Sequence, residues 1–137
     1  MSTDEKKNAL AQYRLQQAAE SLGEARYLLT GEKSLRSVVN RIYYGMFYAV
    51  LALLIYEPYT TSKHTGVLAY FNKRFVKGNV FPDSMGRSFN KAFEFRQRGD
   101  YREYFELTKD QVEPLLEESG QFFLLIKTYL KENHNLG

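Results

Sequence analysis

Residues 42–55 read Ile-Tyr-Tyr-Gly-Met-Phe-Tyr-Ala-Val-Leu-Ala-Leu-Leu-Ile, without one charged side chain. A helix with that content is apolar around almost its whole circumference, so it must be covered on more than one side, by its own bundle or by a second copy of the chain. A homodimer is the expectation drawn from this element. The run falls short of the roughly 20 residues needed to span a bilayer and is dotted with tyrosines. No basic segment followed by an apolar one opens the chain, so no signal peptide is expected and the cytoplasm is the expected location.

The segments around this run carry helical periods. Ala11, Leu15, Ala18, Leu22, Ala25 and Leu29 recur at spacings of four and three, one face of a long helix ended by Thr30-Gly31. The second helix restarts at Lys33 or Ser34 and is closed by Pro58 and Thr60-Thr61-Ser62. A third is expected over about 64–76, with Leu68, Phe71 and Phe75 on one stripe and Lys73, Arg74 and Lys77 off it. Gly78-Asn79 and Pro82-Asp83 bracket a loop. The fourth helix, about 83–98, has Asp83 or Ser84 as its N-cap and Gly99 as its C′ residue. Thr108 and Gln111 form a capping box for the last helix, which buries Val112, Leu115, Leu116, Ser119, Phe123, Ile126 and Leu130 and is bent at Pro114. No β-period segment competes. The expected fold is all-α, an antiparallel up-and-down bundle of four long helices plus a shorter one, in a single domain over residues 1–137 with about eight N-terminal and five C-terminal residues flexible.

With 137 residues, 44% of them hydrophobic, such a bundle can bury a real core. Eleven Tyr and ten Phe without Trp suggest a core or interface built of rings. The absence of cysteine excludes disulfides and thiolate metal sites.

Chemistry concentrates in Phe95-Arg96-Gln97-Arg98-Gly99-Asp100-Tyr101. Arg96 falls in helical register with Met85, Phe89, Ala92 and Phe93, so its guanidinium lies on the apolar face and needs a partner. Asp100 or another carboxylate neutralises it, or a polar pocket holds it ready for an anion such as phosphate. Residues 62–102 carry nine Lys/Arg against three Asp/Glu, while residues 103–137 carry three against seven. That asymmetry fits either two solvated helix faces that attract one another or an anion-binding surface.

Two further stretches are candidates. Arg41, Tyr44 and Tyr48 share one side of the second helix, either as an arginine with phenols that meet a base or phosphate, or as an aromatic packing seam. Ser62-Lys63-His64-Thr65-Gly66 lies where a helix begins, and free amides there favour anions. His64 lines up with Leu68, Phe71 and Phe75 and faces inward, whereas His134 belongs to a polar, solvent-exposed tail. Neither the histidines nor the carboxylates are spaced as metal ligands, and no phosphate-binding glycine loop or nucleophile elbow is present; no metal or cofactor is expected.

The order Arg41-x-x-Tyr44-x-x-x-Tyr48, Lys63-His64-Thr65-Gly66-Val67 and Arg96-x-x-x-Asp100-Tyr101 before a final Phe-containing helix resembles the HEPN domain superfamily, and more narrowly its small stand-alone UPF0332 branch, over about residues 10–130. The resemblance implies a dimerising helical bundle. Many members act as metal-independent RNases in toxin–antitoxin, phage-defence or RNA-processing settings, often with a minimal nucleotidyltransferase as partner. In the ribonuclease members an arginine is followed four to six residues later by histidine, and two subunits bring these motifs together in a cleft. Arg96 carries over onto that arginine, and Asp100-Tyr101 match the narrower branch's Asp-Tyr signature. No histidine stands at those spacings here; after Arg96 come Asp100, Tyr101 and Arg102.

Three functions remain open on the residues. In a divergent HEPN ribonuclease or toxin, Arg96 or Arg98 stabilises the phosphorane, and the base is His64, Tyr101 or Asp100. A non-catalytic RNA- or nucleotide-binding module would use Arg41, Tyr44, Lys63, Arg96, Arg98 and Arg102 as ligands to phosphate and base. In a purely structural dimer, Arg96 and Asp100 form a buried ion pair that fixes the loop.

Overall fold

The apolar run becomes the axis of the molecule. The computed structural model describes residues 2–59, 61, 63–100 and 106–137, and in them the chain forms five α-helices and no strand. These are α1 Thr3–Thr30, α2 Leu35–Leu54, α3 His64–Phe71, α4 Asp83–Gly99 and α5 Lys109–His134. A π-helical turn, Asn72–Val76, extends α3. α2 is packed by α1, α5, α4 and α3, and it buries Ile42, Tyr43, Met46, Ala49, Val50 and Leu53.

This packing removes the argument for a dimer through α2. Val50 is 0% exposed and Leu51 is half-buried, because the chain's own helices cover the circumference that looked too wide for one small bundle. Large apolar side chains that do reach the surface lie elsewhere, Leu10, Tyr13 and Tyr27 on α1, Tyr59 between α2 and α3, and Leu124 and Leu125 on α5. At 20 residues α2 is also longer than the run read from the sequence, and by length and composition it could cross a membrane; 67% of its most apolar window is buried inside the fold.

Local chemistry sets the helix ends. The Ser2 hydroxyl accepts the Glu5 N–H at 3.1 Å, with Asp4 and Glu5 in the first turn to complement the helix dipole. α1 stops at Thr30 as expected, yet the left-handed residue is Glu32 (φ 55) and not Gly31. It lets the Lys33 N–H reach back to the Leu28 carbonyl at 2.9 Å and turns the chain into Ser34, whose hydroxyl accepts the Ser37 N–H of α2. Thr108 and Gln111 form the expected capping box, and α5 runs on through Pro114.

Four expectations are corrected. Pro82 is the N-cap of α4 and Asp83 its first residue, so neither Asp83 nor Ser84 caps it. Gly99 ends α4 without a left-handed φ; it is buried, and a Cβ there would lie 3.3 Å from Leu107 Cδ1 and 3.7 Å from Arg36 Cγ, so the glycine serves close approach to α2. Phe122, not Phe123, fills the core from α5, where it meets Phe71 and Phe89. A second close approach sits at Gly45, whose missing Cβ makes room for Leu22 where α1 crosses α2. At the other end the last residues fold back: Leu136 is buried, Gln12 Nε2 donates to the Gly137 carbonyl, and His134 stacks on Tyr56 with centroids 3.9 Å apart instead of standing free in solvent.

Candidate functional site

Arg96 lies in the last turns of α4, half-buried and on the face shared with Phe89 and Ala92, as its register requires. No carboxylate among the described residues forms an ion pair with it. Its guanidinium instead stands 5.1 Å from the Tyr43 ring centroid and 5.2 Å from that of Tyr44, both on α2, and Nη2 donates to the Tyr44 hydroxyl at 3.3 Å. Two electron-rich ring faces offset part of the cost of drawing the cation inward while leaving most of its N–H donors uncommitted.

The proposed partner, Asp100, is taken by another cation. Arg36 at the start of α2 donates from Nε at 3.0 Å and from Nη2 at 2.8 Å to Asp100 Oδ1. That pair is half exposed, so the buried Arg96–Asp100 ion pair expected for a structural dimer is not formed. Gly99 allows it, because the end of α4 comes within van der Waals contact of the Arg36 side chain.

Arg96 and Asp100 open onto a cleft of about 420 Å³ that is also lined by Leu28, Arg36, Ser37, Asn40 and Arg41. Arg41 is half-buried; its Nε and Nη2 donate to Asn40 Oδ1, and its guanidinium lies 5.6 Å from the Tyr44 ring centroid. Three arginines against one carboxylate already bound to one of them give the cleft positive potential, and Ser37 and Asn40 add neutral polar groups. Such a surface suits a phosphate or another oxyanion.

His64 opens α3 and faces inward, as the register with Phe71 and Phe75 required. Its ring stacks on Phe47 at 4.3 Å, lies 5.7 Å from each of the Tyr43 and Tyr44 rings, and shares a 2.8 Å hydrogen bond between Nδ1 and the Tyr43 hydroxyl. Desolvation, with the nearby Arg96 charge, holds its pKa below the ordinary histidine value. The imidazole is therefore neutral at pH 7. Burial pushes the Tyr43 phenol well above its usual range, with Arg96 pulling the other way, so that hydroxyl keeps its proton. Arg96 and His64 thus touch the same two tyrosines, although His64 is not among the residues lining the cleft.

The structure gathers Arg96, Arg41, Tyr44, Asp100 and, through Tyr43, His64. Lys63 is exposed at the α3 N-cap, where its backbone N–H binds Thr61 Oγ1, and it does not line the cleft. Arg98 points along the outside of α4, ion-paired with Glu94 at 3.0 Å, and also lies off the cleft. Tyr101 and Arg102 lie outside the described residues. Arg36, Ser37 and Tyr43 were not singled out from the sequence. Arg36, Ser37, Asn40 and Arg41 do form a polar stripe at helical spacing, and that was the available signal.

Comparison with known proteins gives a consistent picture. The sequence profile of the HEPN domain matches residues 11–129. A UPF0332 protein of Thermotoga maritima is 38% identical over 92% of this chain and 95% of its own length. Two proteins of Methanocaldococcus jannaschii, each named "putative toxin", are also similar. One is 40% identical over 67% of this chain and 63% of its own length, the other 32% identical over 84% of both.

Proposed function

The chain belongs to the HEPN domain family, in its UPF0332 branch, and from that premise we propose that it is a toxin-type HEPN protein acting on RNA, its backbone phosphate held in the arginine cleft. The observation that carries this reading is Arg96, a half-buried guanidinium that rests on two phenols with no ion-pair partner among the described residues, while Arg36 occupies Asp100, the carboxylate four positions on at the end of α4. A cation arranged in that way is poised for an anion brought by a ligand. The names of the two archaeal relatives support the toxin setting.

In the cleaving form of this proposal, His64 takes the proton of a ribose 2′-hydroxyl. The freed oxygen attacks phosphorus, the bond to O5′ breaks, and the proton returns to that leaving oxygen. The products are a 2′,3′-cyclic phosphate and a 5′-hydroxyl end. Arg96 and Arg41 stabilise the negative charge that grows on the phosphorane. His64 is neutral, as a base must be, and it serves in the tautomer whose Nδ1–H donates to the Tyr43 oxygen, leaving Nε2 with a free lone pair. No metal or cofactor enters this scheme. The protein works in the cytoplasm as a homodimer, with exposed apolar residues of α1 and α5 available for the contact, and a minimal nucleotidyltransferase is its partner.

A second reading is favoured by one observation, that His64 lies off the cleft lining with Nδ1 engaged by Tyr43. If Tyr43 donates, Nε2 carries the proton and the site binds phosphate without cleaving. Binding and cleavage of a single-stranded RNA oligonucleotide, followed in parallel for the native chain, His64→Ala and Arg96→Ala, separate the two. Cleavage that His64→Ala abolishes while binding persists supports the ribonuclease. Binding without cleavage supports the second reading, and binding unaffected by Arg96→Ala contradicts both.

A further inference from the structure

Asp100 stands four residues after Arg96 on one helix, the spacing at which a carboxylate and an arginine ordinarily pair. It pairs with Arg36 instead, and both of these side chains line the cleft that holds Arg96. An Arg96 carboxylate clamp would fill the donors that a phosphate needs. We propose that Arg36 is a positioning residue, which holds Asp100 away from Arg96 and so keeps the cleft open to an RNA phosphate. This rests on the reading of the cleft given above.

The geometry makes Arg36 the stronger competitor. It reaches Asp100 Oδ1 with two N–H groups, whereas Arg96 is drawn toward α2 by the Tyr43 and Tyr44 rings and by the Tyr44 hydroxyl. Gly99 sets the distance, since a Cβ there would crowd Leu107 and approach the Arg36 stem. Without Arg36, the cation at the i−4 position from Asp100 is Arg96, which lines the same cleft, and the two close on each other across its mouth. An exposed ion pair is weak, so the bias is a factor of about five and not a lock.

The test uses the full chain and a fluorescent single-stranded RNA oligonucleotide, with affinity read by polarisation. Arg36→Ala is expected to weaken binding about fivefold, and Arg36→Ala/Asp100→Asn to restore it, because the competing carboxylate is gone. Arg36→Ala/Glu24→Gln restores the same net charge from an exposed position on α1 and should not rescue. The Arg96 side-chain Nε–H resonance gives a readout that needs no RNA; it should shift in Arg36→Ala and return in the double variant. Rescue by Glu24→Gln, or no rescue by Asp100→Asn, would make Arg36 a general source of positive charge or a direct phosphate ligand, and would overturn the proposal. An unmoved Arg96 resonance in Arg36→Ala would overturn it as well. Native affinity in Arg96→Ala would instead remove the phosphate reading of the cleft while the resonance still reports whether Asp100 changes partner.

Discussion

Replacing Arg96 with alanine separates a functional cation from a structural one. In the structure this substitution removes two guanidinium–ring contacts, each worth about 0.5–1 kcal/mol at a half-exposed site. It also removes a long hydrogen bond to the Tyr44 hydroxyl, about 0.5 kcal/mol, and some packing of the side-chain stem. The total is about 1–3 kcal/mol. Because Asp100 stays paired with Arg36, no charge is stranded, and the roughly 3–5 kcal/mol lost when a buried ion pair is broken does not arise. For a chain of this length, each kcal/mol moves the midpoint by about 4 °C, so thermal melting followed by circular dichroism should fall by about 4–12 °C. Arg96→Ala/Asp100→Ala should melt no higher than Arg96→Ala. Recovery of most of the loss in the double variant would mean that Arg96 and Asp100 are the true pair in solution, and the reasoning would fail.

Other expectations follow from the packing and the site. Gly45→Ala places a Cβ 2.5 Å from Leu22 Cδ2, so it should destabilise the α1–α2 crossing by about 1–3 kcal/mol in denaturant melts, and Leu22→Ala in the same chain should relieve part of that. Val50→Glu buries a carboxylate inside α2 and should yield aggregated or unfolded protein; a folded, soluble monomer seen by light scattering would contradict the burial assigned to Val50. His64 has a folded pKa below its unfolded value near 6.5, so between the two the unfolded chain binds more protons. Stability contributed by neutral His64 is then full above about pH 6.5 and is lost as pH falls below it, and His64→Gln should flatten that slope in pH-dependent melts. A slope unchanged by His64→Gln would place the titration elsewhere.

Much of the fold was legible because its signals are local. The spacing from Ala11 to Leu29, the break at Thr30, the capping pair Thr108 and Gln111 and the inward register of Arg96 each depend on residues within a few turns of one another. What failed depended on distance in three dimensions. Asp100 was the natural partner for Arg96 by spacing along one helix, yet it is bound by a cation 64 positions earlier, which no periodicity within α4 could reveal. The apolar girth of α2 was read correctly, but whether its cover comes from this chain or a second one depends on how α1, α3, α4 and α5 wrap it. At Phe122 and Phe123, two adjacent rings compete for one core position, and a small rotation of α5 decides between them. His64 and Tyr43 were a similar case, since only the docking of α3 on α2 brings Nδ1 to the phenol.

The central claim is that the arginine cleft receives an RNA phosphate and that the protein acts there. It is tested most directly by incubating the full chain with a single-stranded RNA oligonucleotide in the presence of a chelator, at single turnover, beside Arg96→Ala of verified fold. The account predicts cleavage to 2′,3′-cyclic phosphate ends by the native chain, and at least a hundredfold slower cleavage by the variant, as expected when a donor to the charged transition state is removed. Equal cleavage by the two proteins would contradict it.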